Sequence, residues 1–121
     1  MSPKLFAEFE TSKDGKPIAV PGETKKHYRI RLFLKDVPPD AYSVTYQLDK
    51  SYRNPIRKIP SGVPEFEEYT TSYGDYPVSV EIRGRDFPYS LREMLSNALE
   101  NRYGAEANPE IRGAIEAIKQ N

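Results

Sequence analysis

The chain has 121 residues, of which 37% are hydrophobic and 30% are charged, and this size predicts one small domain over residues 1–121. It contains no cysteine, which excludes disulfides and thiolate metal sites. The formal net charge is zero, which argues against nucleic acid as a partner, although residues 1–60 have an excess of five basic residues and residues 61–121 an equal acidic excess.

The first half of the chain contains stretches in which apolar and polar residues alternate, as in strands that pack on one side. A weak one, KLFAEFE at residues 4–10, precedes Asp14-Gly15, which predicts a two-residue hairpin turn. HYRIRLFL at residues 27–34 predicts a second strand. YSVTYQL at residues 42–48 predicts a third, whose core face comprises Tyr42, Val44, Tyr46 and Leu48.

Two more strands are predicted further along the chain. EFEEYTTSY at residues 65–73 is enriched in Thr and Tyr, and YPVSVEIRG at residues 76–84 alternates again. Pro77 marks a strand start or an edge because it cannot donate to a ladder. RNPIRKIPSGVPEF at residues 53–66 is rich in proline and is predicted to be a connection. The sequence therefore predicts a mainly β fold, an antiparallel β-sandwich over about residues 4–86.

The end of the chain is predicted to be helical over about residues 90–119. Ser90 with Glu93 has the spacing of a capping box, and Gly104 is a helix stop. Asn108 and Pro109 are a cap and a first helical residue for a second short helix, whose apolar stripe comprises Ile111, Ile115 and Ile118. We expect both helices to close the sandwich or pack on its side, and the alternative is a surface for a partner helix.

No residue pattern of a catalytic site is present. With one histidine and no cysteine, the chain has no zinc motif and no Cys-His pair, and its glycines form no phosphate-binding loop. Glu67 and Glu68 would point to opposite faces of a strand, which disfavours a hydrolase based on paired carboxylates. We therefore expect no enzyme activity, no catalytic residue, no metal and no cofactor.

The basic side chains on one strand form a stripe that consists of His27, Arg29 and Arg31. The simplest interpretation is a solvated sheet face that pairs with Glu81 across strands, and the alternative is a docking surface for an acidic peptide or a phosphate. No apolar run is long enough to cross a bilayer, and the N-terminal residues lack the pattern of a signal peptide. The sequence therefore predicts a soluble, cytoplasmic protein with no membrane partner.

Three segments in a fixed order resemble the YEATS domain, and more closely its prokaryotic branch. They are HYRIRLFL, then LDKSYRNPIR at residues 48–57, then YGDYPVSVEI at residues 73–82, and the resemblance covers roughly residues 26–85. It implies an immunoglobulin-like β-sandwich that binds acylated lysine at loops on one end. It also implies a non-catalytic module, whose partner is a protein or peptide in a bacterial signalling or conflict system.

Matched residue by residue, the resemblance places Tyr52 and Tyr73 at the aromatic positions that sandwich the acyl-amide, Ser51 at the hydroxyl that binds it, and Tyr28 near the pocket wall. Asp49 stands where the family often has a histidine. Ser72, before Tyr73, stands where a small glycine is common. Gly74 and Asp75 complete the predicted ligand-binding set.

The residues leave several alternatives open. Asp49 and Asp75 could favour a cation, such as methylated lysine, over a neutral acyl group. Ser51 could cap the turn at Asn54-Pro55, and Gly74 is expected to supply a positive φ or a close backbone approach.

Tyr46 and Tyr76 are predicted to be core residues because they alternate in register with aliphatic neighbours. A second hypothesis is an adaptor sandwich with a decayed pocket, which contacts proteins through its sheet edges and its terminal helices.

Overall fold

The computed structural model describes residues 2–21, 24–85 and 88–121. Within these residues the chain forms two antiparallel sheets and two short helices, as the sequence predicts. The strands are β1 (Lys4–Phe9), β2 (Ala19–Val20), β3 (His27–Lys35), β4 (Ala41–Gln47), β5 (Ile56–Pro60), β6 (Glu68–Ser72), β7 (Pro77–Gly84) and β8 (Pro88–Met94), and the helices are α1 (Leu95–Tyr103) and α2 (Pro109–Lys119).

The first sheet is organised around β3, with which β1, β2 and β6 all pair antiparallel. The second sheet has the strand order β5-β4-β7-β8. In each central strand every second side chain points inward, as the alternation in the sequence predicts. The inward side chains of both sheets form a shared core. Tyr46 is fully buried and Tyr76 is 7% exposed, so both are core residues as predicted.

The two helices pack on the side of the sandwich, where α1 covers the free edge of β1 and α2 packs against α1. The side chain of Asn101 in α1 donates to the backbone oxygen of Leu5 at 3.0 Å, and the Tyr103 hydroxyl accepts from the Phe9 N–H at 2.8 Å. These bonds satisfy backbone groups that an open strand edge would expose. The predicted position of the helices is confirmed.

Helix α2 begins as predicted, because the Asn108 side chain accepts from the Ile111 N–H at 2.8 Å. Its apolar stripe faces the core: Ile115 and Ile118 are fully buried and Ile111 is 7% exposed. The stripe is therefore not available to a partner helix, and that alternative is wrong.

The predicted helix start at Ser90 is wrong, because this segment forms strand β8. Leu91 pairs with Val80, and Tyr89 pairs with Ile82 in a ladder that runs along β7. In this ladder the backbone groups of residues 88–94 bond to β7, so they are not available for the hydrogen bonds of a helical turn. Leu95, Ala98 and Leu99 lie on the buried face of α1 as predicted, whereas residues 91 and 94 belong to β8, so α1 begins only at Leu95.

The proline-rich connection contains a strand that the sequence did not predict. Strand β5 lies at the edge of its sheet and ends at Pro60, a position where a missing N–H donor is tolerated. The strand predicted from residue 65 begins only at Glu68. Glu65 and Phe66 adopt left-handed φ values of 54° and 50° in a short 3-10 turn, which keeps them out of the ladder.

Local details of two other segments also differ from the predictions. Gly15 has a φ of 77° and donates to the Ser12 oxygen at 3.0 Å, and the Ser12 N–H donates to the Lys16 oxygen at 2.9 Å, so the hairpin has a three-residue loop in place of the predicted two-residue turn. Tyr42 is 55% exposed, because the ladder between β4 and β7 shifts register between Ala41 and Ser43. The bulge turns Tyr42 away from the predicted core face.

Within the basic stripe on β3, Arg31 has its counter-ions on its own sheet and on the neighbouring turn. Arg31 pairs with three carboxylates, at 3.5 Å from Glu8, at 2.8 Å from Glu65, and in a short contact with Glu67. Glu81 lies in the other sheet and pairs with Arg83 at 2.6 Å. The predicted pairing of the stripe with Glu81 is therefore wrong.

Candidate functional site

A cleft of about 460 Å³ opens at one end of the sandwich, where β4 leads into β5 and β6 leads into β7. Both connections contribute residues, and so does the start of β3 at His27. Six of the seven residues that the sequence assigned to ligand binding line this cleft, namely Asp49, Ser51, Tyr52, Tyr73, Gly74 and Asp75.

The connection from β4 to β5 is held by Asp49. Its carboxylate accepts from the Ser51 N–H at 3.1 Å, and its backbone oxygen accepts from the Tyr52 N–H at 3.1 Å. Hydrogen bonds from the Ser51 hydroxyl and N–H lower the pKa of Asp49. Ser51 is thus fixed by Asp49, which is local turn chemistry that does not involve the Asn54-Pro55 turn.

Tyr52 ties this connection to the other sheet. Its hydroxyl donates a short hydrogen bond to the backbone oxygen of Thr71 in β6. Its ring lies 5.5 Å from the ring of Tyr76, centroid to centroid, in a tilted arrangement. The half-buried ring of Tyr52 is therefore a fixed wall of the cleft.

The turn between β6 and β7 is stabilised by the buried side chain of Ser72. Its hydroxyl donates to the Gly74 oxygen at 2.6 Å and accepts from the Gly74 N–H at 3.3 Å. A glycine at position 72 could make neither bond. A Cβ at Gly74 would lie 3.1 Å from the backbone oxygen of Asn121, so this glycine permits a close backbone approach, one of its two predicted roles.

Tyr73 projects from this turn with 43% of its surface exposed. The His27 ring lies 4.9 Å from its ring, centroid to centroid, and the Lys25 ammonium lies 4.9 Å from its ring centroid. The same ammonium donates to the Asn121 side-chain oxygen at 3.4 Å. The exposed aromatic surface of Tyr73 therefore already attracts a cation of its own chain, an interaction worth roughly 0.5–1 kcal/mol at an exposed site.

Asp75 lines the cleft, but its carboxylate is engaged with helix α1. One carboxylate oxygen accepts from the Ser96 N–H at 2.9 Å, and the other accepts from the Ser96 hydroxyl at 2.6 Å. Ser96 lies in the first turn of α1, where the N–H groups lack helical acceptors and where negative charge is favoured. Asp75 thus caps this helix from another element, because the residue before α1, Met94, has no capping side chain.

Tyr28 and Tyr76 differ in their relation to the cleft. Tyr28 is 9% exposed and packs edge-on against Phe9 in the core, so the structure does not bring it to the cleft. Tyr76 forms part of the cleft floor, and its buried hydroxyl makes no hydrogen bond of good geometry with the described residues. Burial raises the pKa of Tyr76, with the nearby phenol of Tyr52 adding to the effect.

Six of the twelve residues that line the cleft were not in the predicted ligand-binding set, namely His27, Arg53, Thr71, Ser72, Tyr76 and Asn121. Arg53 is next to Tyr52, so its position could have been inferred from the loop. The approach of Asn121 depends on how α2 packs, for which the sequence has no local signal.

Some kinds of site were not found in the described ranges. No group of three or more His, Asp or Glu side chains there could hold a metal ion. None of the described helices is long and apolar enough to cross a membrane.

Comparison with solved structures identifies the class of fold as that of the YEATS domains, an immunoglobulin-like β-sandwich. The matching structures include the YEATS domain of Yaf9, a yeast AF-9 homolog. Its complex with H3K27ac has a TM-score of 0.55 and 18% sequence identity, and the match covers 77% of this chain and 69% of that chain. Its structure with an H3K122suc peptide has a TM-score of 0.57 and 16% identity over 93% of this chain and 87% of that chain.

The likeness to Yaf9 at this level of identity shows the fold. No family model matches the sequence. No curated protein matches it either. The prokaryotic branch that the sequence motifs resemble therefore stays a prediction.

Proposed function

We propose that this chain is a non-catalytic reader module that binds an acylated lysine side chain of a protein or peptide at the cleft. The observation that carries the proposal is the position of Ser51, Tyr52 and Tyr73, which the fold gathers from two connections into one cleft. The setting, a cytoplasmic bacterial signalling or conflict system, belongs to the proposal and rests on the motif resemblance alone.

The chemistry of the cleft suits a flat, neutral amide with an apolar tail. The exposed ring of Tyr73 offers a stacking surface, and the ring of Tyr52 offers a second wall held by its bond to Thr71. The exposed hydroxyl of Ser51, whose N–H is held by Asp49, has lone pairs that can accept from the amide N–H. Burial of the amide with a hydrogen bond then costs little.

The same cleft disfavours a cationic side chain. The carboxylate of Asp75 is engaged with Ser96, and that of Asp49 accepts from Ser51, so both face donors of their own chain. The ammonium of Lys25 lies over Tyr73, where it would repel a second cation. An unmodified lysine would lose water without gaining a free counter-ion. These contacts support acyl-lysine over the methyl-lysine alternative.

The adaptor hypothesis has less support. The apolar stripe of α2 that it required for protein contact is buried in this chain. The exposed hydrophobic residues are separate side chains on different elements, for example Tyr42, Ile56 and Tyr69. Single exposed apolar residues are normal on a protein surface and indicate no interface.

An NMR titration tests the proposal. Peptides that carry acetyl-, crotonyl-, succinyl-, trimethyl- or unmodified lysine are added to the ¹⁵N-labelled protein. We expect the acylated peptides to shift amides at residues 49–53 and 71–76, and the unmodified peptide to shift none of them. Tyr73→Ala should abolish the shifts, whereas Tyr42→Ala, which removes an exposed tyrosine outside the cleft, should preserve them. Silence with every acylated peptide would overturn the proposal.

A further inference from the structure

Among the described residues, three exposed basic side chains lie at or beside the mouth of the cleft. Arg53 lines the cleft and is exposed, and exposed Lys50 lies between two lining residues. Lys25, also exposed, holds its ammonium 4.9 Å from the ring centroid of Tyr73. A peptide that lies across the mouth would pass these three cations on its way to the cleft.

The acidic side chains at the same mouth are less exposed and already hydrogen-bonded. Asp49 and Asp75 are both of intermediate burial. Asp49 accepts from the Ser51 N–H, and Asp75 accepts twice from Ser96 at the N-terminus of α1. The helix N-terminus offsets part of the charge of Asp75. The field outside the mouth is therefore dominated by the exposed cations.

The charges of Lys50 and Arg53 are only partly compensated: beside the hydrogen bonds from Ser51, the charge of Lys50 also lowers the pKa of the neighbouring Asp49. Neither Lys50 nor Arg53 lies within 4.0 Å of a carboxylate in the parts of the chain that the structure describes. Elsewhere basic residues do pair, as Arg57 does with Glu68 at 3.7 Å. Cations at a rim that make no close ion pair are available to a partner and steer its approach.

We propose that the cleft binds an acylated lysine that lies in an acidic segment of its partner protein, with Asp or Glu on both sides of the modified residue. This inference rests on the proposed reader function. An extended peptide advances about 3.3–3.6 Å per residue, so neighbours two positions from the lysine lie about 7 Å away from it. Residues this close to the bound lysine pass over the rim, and a flanking carboxylate that comes within the Debye length of a rim cation, about 8 Å at physiological ionic strength, is not fully screened from it. The rim cations therefore act on the flanking residues.

The test is a set of four short peptides measured by fluorescence polarisation. A central lysine is acetylated or unmodified, and its flanks are either Glu or Arg at the same positions. We expect the acetylated Glu peptide to bind about tenfold more tightly than the acetylated Arg peptide at low salt, since several exposed charge pairs each contribute modestly. The difference should shrink as salt is added.

Charge-reversal variants locate the effect. Lys50→Glu and Arg53→Glu should each weaken the preference for the Glu peptide. Lys4→Glu is the matched control. Lys4 is exposed, and it lies opposite Lys35 in the strand register, at the end of β3 that is far from His27 and the cleft. It should leave the preference unchanged.

The outcomes separate the two proposals. Equal affinity for acetylated Glu and Arg peptides, or tighter binding of the Arg peptide, would overturn this inference while acetyl dependence keeps the reader function. Equal binding of acetylated and unmodified Glu peptides would overturn the reader function on which it rests. Duplex DNA that competes as well as the acetylated Glu peptide would overturn the inferred preference for an acidic protein segment, because the rim would then bind any polyanion.

Discussion

Replacement of Asp75 by alanine should destabilise the protein through the loss of a cap on α1. The substitution removes the acceptor of the Ser96 N–H, a capping bond worth about 0.5–2 kcal/mol, and the acceptor of the Ser96 hydroxyl, a charge-assisted bond worth about 1.5–3 kcal/mol. Ser96 is 5% exposed, so water cannot easily replace the lost partner. We expect the free energy of unfolding to fall by roughly 2–4 kcal/mol.

Thermal and urea denaturation followed by circular dichroism measure this loss. For a chain of this size, 1 kcal/mol corresponds to a Tm change of roughly 3–5 °C, so Tm should fall by roughly 10 °C. A double-mutant cycle with Ser96→Ala isolates the bond between the Ser96 hydroxyl and Asp75, and we expect a coupling energy of about 1–2 kcal/mol. The capping role would be refuted by an Asp75→Ala variant within about 0.5 kcal/mol of the wild type, and additive single substitutions would refute the bond to the Ser96 hydroxyl.

Three further predictions concern side chains with well-defined environments. Tyr103→Phe leaves the Phe9 N–H without its acceptor and should cost about 1–3 kcal/mol, with faster hydrogen exchange at that amide as the specific readout. Tyr76→Phe removes a buried hydroxyl that has no hydrogen bond to the described residues, so Tm should stay the same or rise, and a clear fall would reveal a bond to that hydroxyl. Glu100, whose pKa is lowered chiefly by its hydrogen bond from Lys119, stabilises the fold above its unfolded pKa and loses that contribution as pH falls through its lower folded pKa. Urea titrations from neutral pH to about pH 3 should therefore show a smaller acid loss in Glu100→Gln than in the wild type, and equal losses would contradict the assignment.

The fold could be predicted from the sequence where burial follows local alternation. β3, β4 and β7 were predicted because one face of each packs on the core, and this produces an alternation of apolar and polar residues that is visible in the sequence. β8 was missed because it borders the helices at the sheet edge, where its inward residues Tyr89 and Leu91 are only half-buried. The apolar residues around Leu91 fit both an edge strand and the first turn of a helix, so the hydrophobic pattern alone does not distinguish the two.

The candidate site could be predicted as a set of residues but not as a set of contacts. Short motifs placed Ser51, Tyr52 and Tyr73 at loops that the fold brings together. The role of Asp75 could not be predicted, because its partner Ser96 is distant in sequence and lies on a helix whose start was itself misplaced. Such contacts depend on how the elements pack, which local sequence patterns do not predict.

Intermolecular nuclear Overhauser effects measured in a complex with an acetyl-lysine peptide test the central claim most directly. The acetyl methyl group is an isolated probe of where the modified side chain lies. If the cleft is an acyl-lysine site, this methyl group should show contacts to the ring protons of both Tyr52 and Tyr73. Contacts to neither ring, with the peptide bound elsewhere or through its backbone alone, would contradict the account.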